Sequence, residues 1–238
     1  MSRAREILEE ATRSGRNRLL EHEALALIEH YGARVPSYGL AHNEEEAVSI
    51  AEKIGYPVVL KIVSPEIVHK SDVGGVVVGL GDSSSVRKAY NNIISSARKH
   101  VPSAEIIGVL VQKMAEKGAI EVIVGGIRDP VFGPAVMFGL GGVFVEVFKD
   151  VSFRVAPFDR SEAYEMVKEI KAYRILRGYR GQKPRNLEAI VDTIMAVQRI
   201  MVENPEIQEL DLNPVFSYPD KAVVVDARVL LSTSSRTS

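Results

Sequence analysis

The sequence predicts an α+β protein in two lobes, and three observations lead there. Helical and strand patterns mix in both halves, antiparallel hairpins concentrate in the second half, and a third strand ends near Lys113, where the lobes should divide. Residues 21–31, EHEALALIEHY, crowd Ala24, Leu25, Leu27, Ile28 and Tyr31 onto one broad face before Gly32, which predicts a helix. A second helix is expected over 43–55, with Asn43 as N-cap, Glu46 three positions on, and Gly55 as the stop. YPVVLKIV and GGVVVGLG read as strands bounded by proline and glycine. A helix capped by Asp82 or Ser83 runs to about His100, and IIGVLVQKM is a third strand.

The second half opens on a hairpin. EVIVGGIRD and PAVMFGLGG flank the turn residues 129–133, and VSFRVAPF continues the sheet. Helical pattern returns at about 160–172 and 186–202, and a last hairpin joins IQELDLNPVF to KAVVVDARVL through 217–220. The expected division is an N-terminal extension over 1–20, lobes over 21–113 and 114–231, and a disordered tail over 232–238.

Composition narrows the chemistry. The chain has 238 residues, 30 Lys+Arg against 31 Asp+Glu, and a net charge of -1, so no cationic surplus argues for nucleic acid. Cys is absent, which removes disulfides, thiolate metal sites and cysteine nucleophiles together. No apolar run reaches the ~18 residues of a membrane span, and MSRAREILEEATRSGR is too charged for a signal peptide, so a cytoplasmic protein is expected.

Four features could carry chemistry. Lys61 interrupts the apolar strand PVVLKIV: it is either a point charge for phosphate oxygens or an edge-strand lysine facing solvent. The loop SPEIVHKSDVGGV sets His69, Lys70, Ser71 and Asp72 before Gly74-Gly75, where backbone N–H groups can form an anion nest. His69 there is a candidate nucleophile for phosphoryl relay or an idle loop histidine. In the last hairpin, strand alternation puts Asp211 and Asn213 on one face, and Asp226 follows three valines on the returning strand. A carboxylate and an amide oxygen suit Mg²⁺, while a polar hairpin end is the bland alternative. Lastly, FGLGGVFVEVFKD is glycine-dense without the dinucleotide-binding spacing.

In combination, VVLKIVSPEIVHKSDVGGV, VLVQKMAEKGAIEVIVGGIRDPVFGP, FGLGGVFVEVFKDVSFRVAP and ELDLNPV with VVVDAR resemble the ATP-grasp family. The resemblance is specifically to the β subunits of archaeal ADP-forming acyl-CoA synthetases (acetate–CoA ligases), and it covers Glu21 to Leu231. It implies an ATP-grasp fold whose two α+β lobes clasp a nucleotide. It further implies Lys61 on the nucleotide phosphates, Gln112, Lys113 and Met114 at the adenine edge, Glu121 on the ribose, and Asn213 and Asp226 as Mg²⁺ ligands. Asp211 stands where the family's glutamate steadies a phosphohistidine brought by the partner subunit, and His69 corresponds to a second, relaying histidine.

The implied activity is acid–thiol ligation, written acyl-CoA + ADP + phosphate ⇌ carboxylate + CoA + ATP. ADP/ATP and Mg²⁺ would bind here, and a CoA-binding α subunit would complete an α2β2 heterotetramer. GLGGVFVEVF would be a docking face for that subunit. Two rival readings are a stand-alone ATP-grasp carboxylate–amine ligase and a non-catalytic nucleotide-sensing subunit.

Overall fold

The structure is a computed structural model, and it describes residues 3–142, 150–179 and 181–232. The chain forms two compact units, one of Met1–Val35 with Lys117–Ser238 and one of Pro36–Glu116. The fold is α+β, as the sequence predicts.

The first two helices belong to the larger unit. Helix α1, Arg3–Arg13, is missed by the sequence reading because only Ala4, Leu8 and Ala11 form its buried stripe, while Arg5–Glu9 and Arg13–Glu10 pairs cover its exposed face. Helix α2, Glu21–His30, matches expectation. Between them, Leu19 N–H donates to Val229 O at 3.1 Å and Leu231 N–H to Asn17 O at 2.8 Å, so this segment is tied to the C-terminal strand. Residues 17–19 are therefore held against the edge of the larger sheet. The unit boundary falls after Val35 rather than after residue 20, because α2 also packs within the larger unit.

The smaller unit runs β1 (Tyr38–Ala41), α3 (Glu44–Ile54), β2 (Val58–Val63), a 3-10 turn (Lys70–Val73), β3 (Val76–Leu80), α4 (Ser83–His100) and β4 (Gly108–Lys113). Its antiparallel sheet has the order β1-β4-β2-β3. The predicted caps are in place: Asn43 Oδ1 accepts from Glu46 N–H at 2.9 Å and Asp82 Oδ1 from Ser85 N–H at 2.7 Å. Val58, Leu60, Ile62, Val109 and Val111 share one core cluster with apolar residues of α3 and α4.

The larger unit continues with β5 (Ile120–Asp129), β6 (Gly133–Leu140), β7 (Val151–Val155), α5 (Arg160–Glu169), α6 (Tyr173–Leu176), α7 (Leu187–Glu203), β8 (Ile207–Ser217), β9 (Ala222–Val224) and β10 (Ala227–Leu231). The sheet order is β10-β8-β5-β6-β7, with β9 also paired to β8. The helix expected over 160–172 stops at Glu169, and both Asp150 carboxylate oxygens then accept N–H groups, from Lys171 at 2.8 Å and Ala172 at 2.7 Å.

The two faces of this sheet differ. Val122, Val124, Val136, Phe138, Leu210, Leu212 and Val229 are buried on one face. That face carries α7, so close that a Cβ on Gly126 would lie 2.6 Å from Met201 Cγ, and α5, where Ser152 Oγ donates to Met166 O at 2.9 Å. Among the described residues no helix is long and apolar enough to cross a membrane. Of the expected disordered tail, Ser232 is bonded through its N–H to Glu206 O at 2.8 Å, and 233–238 lie outside the described residues.

Candidate active site

Lys61 is on a central strand. Its register partners are Val76 on β3 and Leu110 on β4, and the residue is only 6% exposed, so the reading as a solvent-facing edge lysine fails. Alternation puts it, with Leu110 and Gln112, on the sheet face away from the α3–α4 core. A buried lysine and a buried glutamine, Gln112 being 1% exposed, are costly in a β-rich interior unless they serve a polar task.

The loop after β2 is fixed at both ends and open in the middle. Ile67 is buried in the core cluster, and Glu66 is held by Ser64 Oγ at 3.0 Å and by Glu105 N–H at 3.1 Å. Beyond the turn, Gly75 donates to Lys70 O and accepts from Ile62 N–H, both at 2.7 Å, while Ser96 Oγ donates to Val73 O at 2.8 Å. Gly74 is left-handed at φ 64, and a Cβ on Gly75 would lie 2.5 Å from Ile62 Cγ2, so both glycines are required. Exposed His69 stands at the start of the turn, its carbonyl accepting from Asp72 N–H at 3.2 Å. The result is a rigid mount for an accessible imidazole.

Lys113 and Met114 are more constrained than the sequence implies. Lys113 N–H donates to Ser37 O at 2.8 Å and Met114 N–H to Pro57 O at 3.1 Å. Lys113 Nζ caps the end of α3, donating to Gly55 O at 2.9 Å and Tyr56 O at 2.8 Å. Neither N–H is available to a base edge, so any adenine contact here falls to other backbone groups.

In the larger unit, the register puts Glu121, Gly125, Asp211 and Asn213 on the face opposite the helices. Asp211 stands between Gly125 on β5 and Arg228 on β10. The β5–β8 register shifts between Val122 and Val124, so Asn213-Pro214 occupy a bulge across from Ile123. On the other side of β8, Ala227 pairs with Leu212 and Val225 N–H donates to Pro214 O at 3.0 Å, which sets Asp226 opposite Asn213. Glu121 lies at the start of β5, its carbonyl accepting from Gly141 N–H at 2.8 Å, and Gly142 is left-handed beside its carboxylate. Those glycines answer to close packing on Glu121.

Burial is the main cause that raises the Asp211 pKa above the usual carboxylate range, followed by the Glu209 charge. Arg228 pulls the other way, and Asp226 adds a smaller push. The sequence reading missed Arg228, although it lies two residues beyond Asp226 in the segment VVVDAR. Among the described residues no three His, Asp or Glu side chains gather as a metal cluster. Asn213 and Asp226 nonetheless offer paired amide and carboxylate oxygens in an acid-rich spot, a donor set that fits Mg²⁺ with water and phosphate completing the shell.

A family model described as an ATP-grasp domain matches residues 10–231. The chain belongs to the ATP-grasp family. Within the ATP-grasp family it groups with the β subunits of ADP-forming acetate–CoA ligases. It is 53% identical over 231 residues to subunit β of acetate–CoA ligase (ADP-forming) I of Pyrococcus furiosus, covering 97% of this chain and 99% of that one. It is also 53% identical to acetate–CoA ligase (ADP-forming) I of Archaeoglobus fulgidus, but spans only 33% of that longer polypeptide.

Among solved structures it matches an acetyl-coenzyme A synthetase 1 of Ca. Korarchaeum cryptofilum in complex with coenzyme A and Ca-AMPCP. The TM-score is 0.94 at 55% identity, over 96% of this chain and 100% of that one. A second structure of that enzyme holds Mg-AMPPCP with a phosphohistidine segment pointing towards the nucleotide binding site; it matches with TM-score 0.86 at 52% identity, over the same shares of the two chains.

Proposed function

We propose that the chain is the nucleotide-binding β subunit of an ADP-forming acyl-CoA synthetase. The observation that carries the reading is the placement of Asp226 opposite Asn213, with Asp211 on the same sheet face, away from the helices. Those residues suit a nucleoside diphosphate with its Mg²⁺ held by Asn213 and Asp226, the ion neutralising phosphate charge. Lys61 would hold phosphate oxygens as a point charge, and Glu121 would take the ribose hydroxyls. Gln112, Lys113 and Met114 would border the base through groups other than the Lys113 and Met114 N–H.

The chemistry is two in-line phosphoryl transfers. In the first, a phosphohistidine on the partner loses its N–P bond as a His69 ring nitrogen forms a new one. In the second, the His69 N–P bond breaks while a β-phosphate oxygen of ADP bonds to phosphorus, giving ATP and a free imidazole. The pinned loop supports this role, because an exposed nucleophile on a rigid mount loses little entropy on aligning. Asp211 would steady the incoming phosphohistidine. CoA release and acyl-phosphate formation would belong to an α subunit, in an α2β2 assembly in the cytoplasm.

The test is the complex reconstituted with its α subunit, supplied with acetyl-CoA and phosphate. Acid-labile, base-stable phosphate is expected on His69, and His69→Ala should abolish ATP synthesis while leaving ADP affinity within about twofold. Near-normal turnover of His69→Ala would sink the relay.

A further inference from the structure

Among the described residues, the outer half of the larger sheet has an exposed apolar face away from the helices. Register aligns Ile127, Ala135 and Val155 in one row across β5, β6 and β7, and Gly125, Met137 and Phe153 in the next. All six point away from the α5–α7 side, since the alternating positions Val136, Phe138 and Ser152 are buried there. Ile127 is 51% exposed, Phe153 54% and Val155 50%. The hairpin beyond them adds Val131 and Phe132, also exposed, and its tip is rigid: Asp129 Oδ1 accepts both their N–H groups, at 2.8 and 2.9 Å. An exposed apolar patch of this kind, with Phe132 and Phe153 as its aromatic members, suits the core of a protein interface.

The same rows run on to the proposed transfer site. The row of Phe153, Met137 and Gly125 continues to Asp211 and Arg228, and the row of Val155, Ala135 and Ile127 continues to Glu209 and Leu230. Whatever covers the apolar half therefore borders the row that leads to Asp211. A second copy of this chain seated there would stand where the phosphoryl donor has to arrive, whereas the subunit that carries the donor gains both contacts at once. In the Archaeoglobus relative, two thirds of the synthetase is joined to the matching segment on one polypeptide, so there such a body is tethered to the corresponding domain.

We propose that the β5–β6–β7 face, centred on Ile127, Phe153 and Val155, is the seat of the CoA-binding subunit and brings its phosphohistidine segment onto Asp211. This rests on the function proposed above, but its test is separable. The docking face expected at GLGGVFVEVF lies largely in 143–149, outside the described residues.

The experiment measures association of the full chain with the co-purified α subunit by calorimetry and sedimentation. Phe153→Asp and Ile127→Asp should each weaken association about tenfold or more, with the milder Phe153→Ser intermediate. Mg·ADP affinity and the melting temperature of the isolated chain should not move, since both side chains are already exposed. Wild-type association in both Asp variants would overturn the proposal, as would a wild-type chain that self-associates through this face and is made monomeric by Phe153→Asp. If the relay reading alone is wrong, the wild-type complex still assembles and the Asp variants still weaken it, but His69 acquires no phosphate.

Discussion

The Val225 N–H donates to the Pro214 carbonyl oxygen at 3.0 Å, and together with the Ala227–Leu212 pairing this bond brings Asp226 alongside Asn213. The hairpin return is interrupted there: β9 pairs with β8 before the break and β10 after it, opposite the bulge at Asn213-Pro214. Two irregularities on facing strands coincide, and between them lie the two oxygen donors proposed for the metal.

Removing either donor should therefore act on metal-dependent binding. Asp226→Asn is expected to weaken ADP binding in Mg²⁺ about tenfold or more, ~1.4 kcal/mol, and to change binding in EDTA little. Titration calorimetry with and without Mg²⁺ distinguishes this from a general loss. An equal drop in both buffers would remove Asp226 from the metal.

Lys61→Met retains the buried stem on β2 and deletes the ammonium. ADP affinity should fall about tenfold or more, again ~1.4 kcal/mol, while circular dichroism and a cooperative melt remain. Unchanged affinity would take Lys61 out of the nucleotide site.

Gly75→Ala tests the mount of His69. The new Cβ would approach Ile62 Cγ2 at 2.5 Å and Lys70 O at 2.9 Å, so the loop or the strand must shift. A destabilisation of about 1–3 kcal/mol is expected from such overpacking, with slower phosphorylation of His69 in the complex. Gly79→Ala, where a Cβ meets nothing within 4 Å but φ is 75, should lower stability through backbone strain and spare the phosphorylation rate.

Acid sensitivity should run partly through β7 and α5. The hydrogen bond from Arg154 holds the Glu169 pKa below the usual carboxylate range. A depressed folded-state pKa gives stability that is present above the ordinary carboxylate value and lost as pH falls through the folded value. Glu169→Gln should thus lower the melting temperature at neutral pH and flatten its decline on acidification. Parallel curves for wild type and variant would show that the pair adds nothing.

Much of this was legible locally. Caps at Asn43 and Asp82, the apolar periodicity of α2, and the β-branched runs of β2, β3 and β4 are short-range signals, and each element forms where the sequence puts it. Short β1 carries no alternation, and α1 carries too few apolar residues, so both were silent; they become ordered by pairing with β4 and by packing in the larger unit. The lobe boundary shifted for the same reason, since the attachment of residues 17–19 to β10 joins positions more than two hundred residues apart.

By itself, then, the sequence determined which side chains could do chemistry: one lysine in an apolar strand, one histidine before paired glycines, and oxygen donors at a hairpin, with no thiol to compete. The tertiary structure decided what those side chains meet. Pairing register, set by non-local hydrogen bonds and by which face is buried, put Lys61 on a central strand, took up the Lys113 and Met114 N–H groups, and set Asp226 beside Asn213. It also left Ile127, Phe153 and Val155 open on the face that carries Asp211. No local pattern contains that adjacency, because the residues come from three strands that alternate alike and differ only in what covers them.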